Sequence, residues 1–217
     1  MGDFNSIQQI AIWILPVLFA ITLHEASHAL AAYKLGDKTA YQQGRLTLNP
    51  INHIDPVGTL AIPALLIAVG SPFLFGWAKP VPVNWGNLNN PKRDMALVAL
   101  AGPMSNLFMA ILWVIVINIG LLLANSWPMA EFLIYTGQAG VIINLVLMIL
   151  NLLPILPLDG GRILFGLLPH RLAYKYGQSE SYGFFILIGL LATGVLGKIM
   201  MPLIEIAYAG LMLLIIV

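Results

Sequence analysis

Two histidines four residues apart, His24 and His28, sit inside a long apolar run, with Glu25 beside the first. On an α-helix that spacing sets the two imidazoles about 40° apart around the axis and about 6 Å apart along it. Both rings then reach one cation. Glu25 falls on the neighbouring flank, where a carboxylate can take a proton from water on that cation. A catalytic zinc takes three protein ligands and keeps one position open for water. The third ligand must come from elsewhere in the chain.

The candidates are few. There are no cysteines, so thiolate ligands and disulfides are excluded. The other histidines are His53 and His170, and the other acids are Asp3, Asp37, Asp55, Asp94, Glu131, Asp159, Glu180 and Glu205. Asp94 follows Lys92 and Arg93 and reads as a solvated helix start. His170, near Arg171 and Lys175, reads as part of a polar loop. Asp159 ends a proline-broken stretch and precedes Gly160 and Gly161, so an extended segment could deliver its carboxylate to another helix. It is the preferred third ligand, with His53 next. The plainer alternatives are an N-cap role for Asp159 and hydrogen-bonded core positions for the two histidines. Ionisable groups at membrane depth are costly, which weighs against the second alternative.

The elements that must carry these groups are set by composition. Of 217 residues, 59% are hydrophobic and 9% charged, and the mean hydropathy is +0.90. Soluble domains are about a quarter charged, so the main solvent is lipid. The net charge of +1 gives no sign of a nucleic-acid partner. Apolar runs at 7–33, 95–124, 131–156, 181–197 and 199–217 approach or reach the length of a membrane crossing. The first run is too long for a signal-peptide core and is kept as part of the mature protein. A further run, 57–75, is interrupted by Pro63, Pro72 and Gly70. Gly44 to Asn49 alternates enough to predict a short strand. The expected fold is an all-α polytopic membrane protein of five to six transmembrane helices, with a re-entrant, partly β-like segment near the site. It forms a single domain over 1–217: the histidine helix at 7–33, a polar and re-entrant region at 36–94, core helices at 95–156 and C-terminal helices at 181–217.

The combination of HEASH, AGPMSN at 101–106 and NLLPILPLDGG at 151–161 resembles the site-2 protease family of intramembrane zinc metalloproteases, in its compact prokaryotic form without a PDZ domain. The last segment fits an N-x-x-P-x-x-x-x-D-G pattern through Asn151, Pro154, Asp159 and Gly160. The resemblance implies one Zn2+ held by His24, His28 and Asp159, with Glu25 as general base and Asn151 assisting at the site as an oxyanion or substrate contact. It implies a transmembrane or membrane-proximal protein substrate and a place in a prokaryotic cell membrane. His53 and Asp55 are candidates to support the ligands from behind. Gly102 and Pro103 are expected to shape a helix, Asn106 to bond a neighbouring one, and Arg162 to reach toward the membrane surface.

Topology follows from parity. If 57–75 re-enters and returns, the histidine motif and Asp159 fall toward one face, and nine of the ten Lys and Arg residues join them. Only Lys198 is left opposite. The positive-inside rule makes that face cytoplasmic. The expected arrangement has five crossings, with the N-terminus outside and the C-terminus inside. Two other functions share the ligand set: a divalent-metal transporter, which has no need of Glu25 as a base, and a non-proteolytic membrane scaffold.

Overall fold

A computed structural model of the chain describes residues 4–62, 65 and 76–216. Helix α1 spans Ser6–Lys34 and starts at a reciprocal cap, in which Asn5 Oδ1 accepts from Gln8 N and Gln8 Oε1 accepts from Asn5 N. A short turn, α2 (Thr39–Gln42), follows. The long helices are α3 (Pro91–Leu123) and α4 (Ala130–Asn151). Then come α5 (Asp159–Leu167), α6 (His170–Gly177), α7 (Glu180–Ala192) and α8 (Val195–Met212). Four of these, α1, α3, α4 and α8, are long and apolar enough to cross a membrane.

Helices α3 and α4 make the tightest pair. Lipid gives apolar helices little reason to associate, so close backbone approach and dispersion must do it. Glycine supplies the approach. A methyl at Gly137 would lie 2.6 Å from Ile117, and one at Gly140 would lie 2.2 Å from the Trp113 ring. The core around Met109, Trp113, Ile117, Val141 and Leu145 is completed by Tyr208, Leu211 and Ile215 beyond α4.

Contacts along this bundle fix the direction of each helix. Phe4, ahead of α1, meets Phe132 and Tyr135 at the start of α4 edge-on, so α1 and α4 run parallel. Leu196 and Met200, at the start of α8, pack on Ile149 near the end of α4. Asn118, near the end of α3, donates to Leu214 O and accepts from Ile216 N. Helix α8 therefore runs antiparallel to α4 and parallel to α3.

Among the described residues, the candidate crossings are four, against the five to six expected. Helix α7 has 13 residues, about 20 Å of helix against a hydrocarbon core of about 30 Å. Its Gly183 rests on Leu156 O, and its Leu190 and Leu191 join the cluster at the end of α4. Both ends of α7 thus stay at one end of the bundle. Thr193 and Gly194 break the helix, and Gly194 takes a positive φ of 70° that turns the chain into α8. The directions of the four candidate spans among the described residues place the beginning and end of the described chain at the same end of the bundle.

The loop layer between α1 and α3 also returns to the end it left. Asn89 N donates to Leu35 O, tying the entry to α3 onto the exit from α1. Asp37 gathers the same region, accepting from Thr39 N and Oγ1, Asn84 N and the Asn87 amide. Residues 76–84 form neither helix nor strand and are held through Trp77 N to Gly58 O, Lys79 N to His53 O, and Arg45 Nη2 to Lys79 O. The proposed re-entrant run lies mostly outside the described residues; its described start is one π-helical turn at Pro56–Ala61, capped by Asp55.

Among the described residues there is no strand. Gly44 to Asn49, expected as one, is turn and bend. Gly44 has a positive φ of 66°, Arg45 N is bonded back to Ala40 O, and Thr47 O is taken by the His53 ring. Asn49 caps the next short helix. Its backbone groups are engaged locally, so alternation in the sequence had no partner strand to pair with.

Candidate metal centre

Three donor atoms converge where α1, α3 and α5 meet. His24 Nε2 and His28 Nε2 are 3.1 Å apart, and each lies 3.3 Å from Asp159 Oδ2. Tetrahedral bonds of about 2.05 Å place neighbouring donors about 3.3 Å apart. The separations therefore match three corners of such a site.

The hydrogen bonds behind the rings make the match chemical as well as geometric. His28 Nδ1 is 2.7 Å from Val98 O, a carbonyl that only accepts. His24 Nδ1 is 2.6 Å from Asn106 Oδ1. Each neutral ring therefore carries its proton on Nδ1 and turns the lone pair of Nε2 inward. Asp159 Oδ2 is buried with no hydrogen bond of its own. Two lone pairs and a carboxylate oxygen facing one another repel unless a cation lies among them. The donor set of two imidazoles and a carboxylate suits zinc.

Local structure explains the convergence. The histidines share one face of α1 because they are a turn apart. Gly102 opens the space beneath them: a methyl there would lie 2.4 Å from His28 Nε2 and 2.6 Å from His24 Cε1. Asp159 is the first residue of α5, not the tip of an extended segment, and its N-cap position is held by Leu158. Gly160 and Gly161 press against the backbone of Leu152 and Ile155, where a Cβ would be within 2.2 and 2.6 Å. That packing folds the chain after α4 tightly back on itself and seats Asp159 opposite the histidines.

The centre opens into a cleft of about 520 Å³ bordered by Glu25, Trp77, Pro80, Val81, Asn151, Pro157 and Arg162. Glu25 Oε2 accepts a 2.8 Å hydrogen bond from Val81 N. Flanked by Pro80 and Pro82, Val81 contributes the single backbone donor of that three-residue stretch. Asn151 lines the cleft and donates to Leu147 O in its own helix.

Other expected positions fall elsewhere. His53 is buried with Nε2 3.0 Å from Thr47 O, and Asp55 caps the turn after it. Neither borders the cleft or joins the donor cluster; each serves the loop layer. Asp94 is not solvated: it is 2% exposed, and its carboxylate accepts from Asn90 N at the start of α3. Arg162 does not extend to the surface alone. It pairs with Glu180 at 2.8 Å and lies 5.1 Å over the Trp85 ring. His170 opens a helix rather than lying in a loop. The sequence reading passed over Val81, which holds Glu25, and Asn144, whose amide meets Asn106. Asn144 carried a signal, a polar residue within a long apolar run. Val81 carried none.

Residues 120–193 match the profile of Peptidase family M50. The chain is 39% identical over 198 residues to a Bacillus subtilis protein named "Putative zinc metalloprotease YwhC", covering 88% of this chain and 85% of that one. It is 33% identical over 182 residues to "Putative zinc metalloprotease Rip2" of Mycolicibacterium smegmatis, covering 83% of this chain and 66% of the relative. It is 27% identical over 183 residues to "Stage IV sporulation protein FB" of Bacillus subtilis, covering 81% and 58% respectively. No solved structure matches the chain.

Proposed function

The chain belongs to peptidase family M50, the site-2 protease family, and from that premise we propose that it is a membrane zinc metalloprotease using His24, His28 and Asp159 as ligands and Glu25 as general base. The observation that carries this reading is the inward convergence of two Nε2 lone pairs and an orphaned carboxylate oxygen. A zinc ion held there supplies Lewis acidity and lowers the pKa of water toward about 7.

The protein groups do the rest. Glu25 stands beside the donors, and the Val81 amide fixes one of its oxygens. Its other oxygen is not engaged by the described residues, so it takes the proton of the attacking water and later delivers it to the leaving amine. Asn151 lines the cleft, and its amide has a second N–H beyond the one used by Leu147 O, the group it offers to the scissile carbonyl. Trp77, Pro80 and Val81 line the same cleft. A substrate helix must unwind to present a carbonyl, because its carbonyls are otherwise bonded within the helix. The substrate is a transmembrane or membrane-proximal protein segment, and the cleft opens on the cytoplasmic side.

The test is the metal content of the purified parent, Asp159→Ala and Glu25→Gln, with cleavage of a model transmembrane substrate on the same samples. The parent is expected to hold one zinc and Asp159→Ala to lose it. Glu25→Gln keeps zinc and cuts at least a hundredfold more slowly, the usual scale for losing a general base (~10²–10⁴). Full zinc in Asp159→Ala would overturn the ligand set, and unchanged cleavage by Glu25→Gln would overturn the mechanism.

A further inference from the structure

Behind the metal centre, two asparagines from different helices are fully buried: Asn106 on α3 and Asn144 on α4, both 0% exposed. The amide nitrogen and oxygen of each have partners. Asn144 Nδ2 donates to Gly140 O at 2.8 Å. A backbone carbonyl only accepts, so this bond fixes which way the Asn144 amide faces. Its Oδ1 then accepts from Asn106 Nδ2 at 3.0 Å. Asn106 Nδ2 also donates to Ala20 O on α1 at 3.2 Å. Both hydrogens of Asn106 are thereby committed, and its Oδ1 must face His24 Nδ1, 2.6 Å away.

We propose that Asn144 is a positioning residue of the metal centre, acting through Asn106 to hold His24 in the tautomer that leaves Nε2 free. That role rests on His24 being a ligand. Were the Asn106 amide reversed, its oxygen would face two acceptors, and its NH₂ would face His24 Nδ1. Nδ1 would then have to accept, the ring proton would move to Nε2, and the ligand lone pair would be lost. Asn144 supplies one of the two acceptors that forbid the reversal. Partners that orient ligating histidines in this way change metal affinity about 10- to 100-fold when removed. A merely structural role, filling the α3–α4 interface, would lower stability without selecting a tautomer.

The experiment uses the full-length protein in detergent, with zinc affinity measured by competition against a chromogenic chelator and ring tautomers read by ¹⁵N-histidine NMR of the zinc-free protein. The variants are Asn144→Leu, Asn144→Ser, Thr136→Val and His24→Ala. Serine still bonds to Gly140 O but is too short for Asn106, so it carries the test if leucine does not fold. Thr136 is a buried control on the same helix, its hydroxyl bonded to Phe132 O. At least a tenfold loss of zinc affinity in an Asn144 variant is expected, with a second His24 tautomer in its spectrum and parent affinity in Thr136→Val. Affinity within tenfold of the parent, or an equal loss in Thr136→Val, overturns the proposal. His24→Ala separates the two levels: if it binds zinc like the parent, the ligand assignment itself fails.

Discussion

At the residue scale, the site depends on atoms that are missing as much as on those present. Gly102 has no catalytic group, yet its hydrogen occupies the one place from which a methyl would strike both ligand rings. The rings cannot swing aside, because each Nδ1 is anchored to α3. Gly102→Ala is therefore expected to weaken zinc binding at least tenfold and to destabilise the fold by about 1–3 kcal/mol, the usual cost of overpacking. Chelator competition and thermal melting check this; parent-like affinity would mean that α3 yields at that point. The histidines and Glu25 were legible in the sequence because helical spacing alone brings them together. Asp159 was legible as a candidate through its glycines, and a helix start was among its readings; the structure makes it the first helical residue, one past the cap at Leu158, and a ligand candidate as well. The orientations of Asn106 and Asn144 depend on contacts between helices, which no local pattern records.

At the element scale, α1 and α3 are joined at the end that carries the cleft, and Asp37 is the joint. Burial pushes its carboxyl upward, but the bonds from Thr39, Asn87 and Asn84 outweigh this and hold it below the ordinary carboxylate value. A carboxyl with a depressed folded pKa contributes stability above its unfolded pKa of about 3.9 and loses it as pH falls through the folded value. Asp37→Asn is expected to melt below the parent at neutral pH, with the gap closing as the pH drops below about 4. A gap independent of pH would mean that packing, not charge, makes the joint. The long helices were plain in the sequence because crossing a membrane demands length and apolarity together. Helix α7 reads as a crossing in the sequence because its apolar run continues through Thr193 and Gly194, and composition alone does not show the turn there. The expected strand at Gly44 to Asn49 failed for a related reason: a two-residue period needs a neighbouring strand to mean anything, and here the groups are bonded locally.

At the scale of the whole molecule, the direction of α8 changes the charge distribution. Lys198 is its fourth residue, between Leu196 and Met200, which pack at the cleft end of α4. It therefore joins Lys34, Lys38, Arg45, Lys79, Lys92, Arg93, Arg162, Arg171 and Lys175, so that all ten basic residues gather at the end where α1 leaves and α3 enters. The opposite end receives the segment between α3 and α4 and the residues after α8, none of them Lys or Arg. Positive-inside bias of that completeness argues for a cytoplasmic cleft and for both termini of the described chain on the far side. The absence of cysteine makes the test clean: single reporters Asn125→Cys, Lys175→Cys and Leu213→Cys, probed with a membrane-impermeant maleimide on intact spheroplasts and on inverted vesicles. Asn125 and Leu213 should react from outside, and Lys175 only in inverted vesicles. If Leu213 follows Lys175, α7 crosses after all and the chain has five spans. If all three are reversed, the cleft faces outward, and water and substrate reach Glu25 from the other side of the membrane.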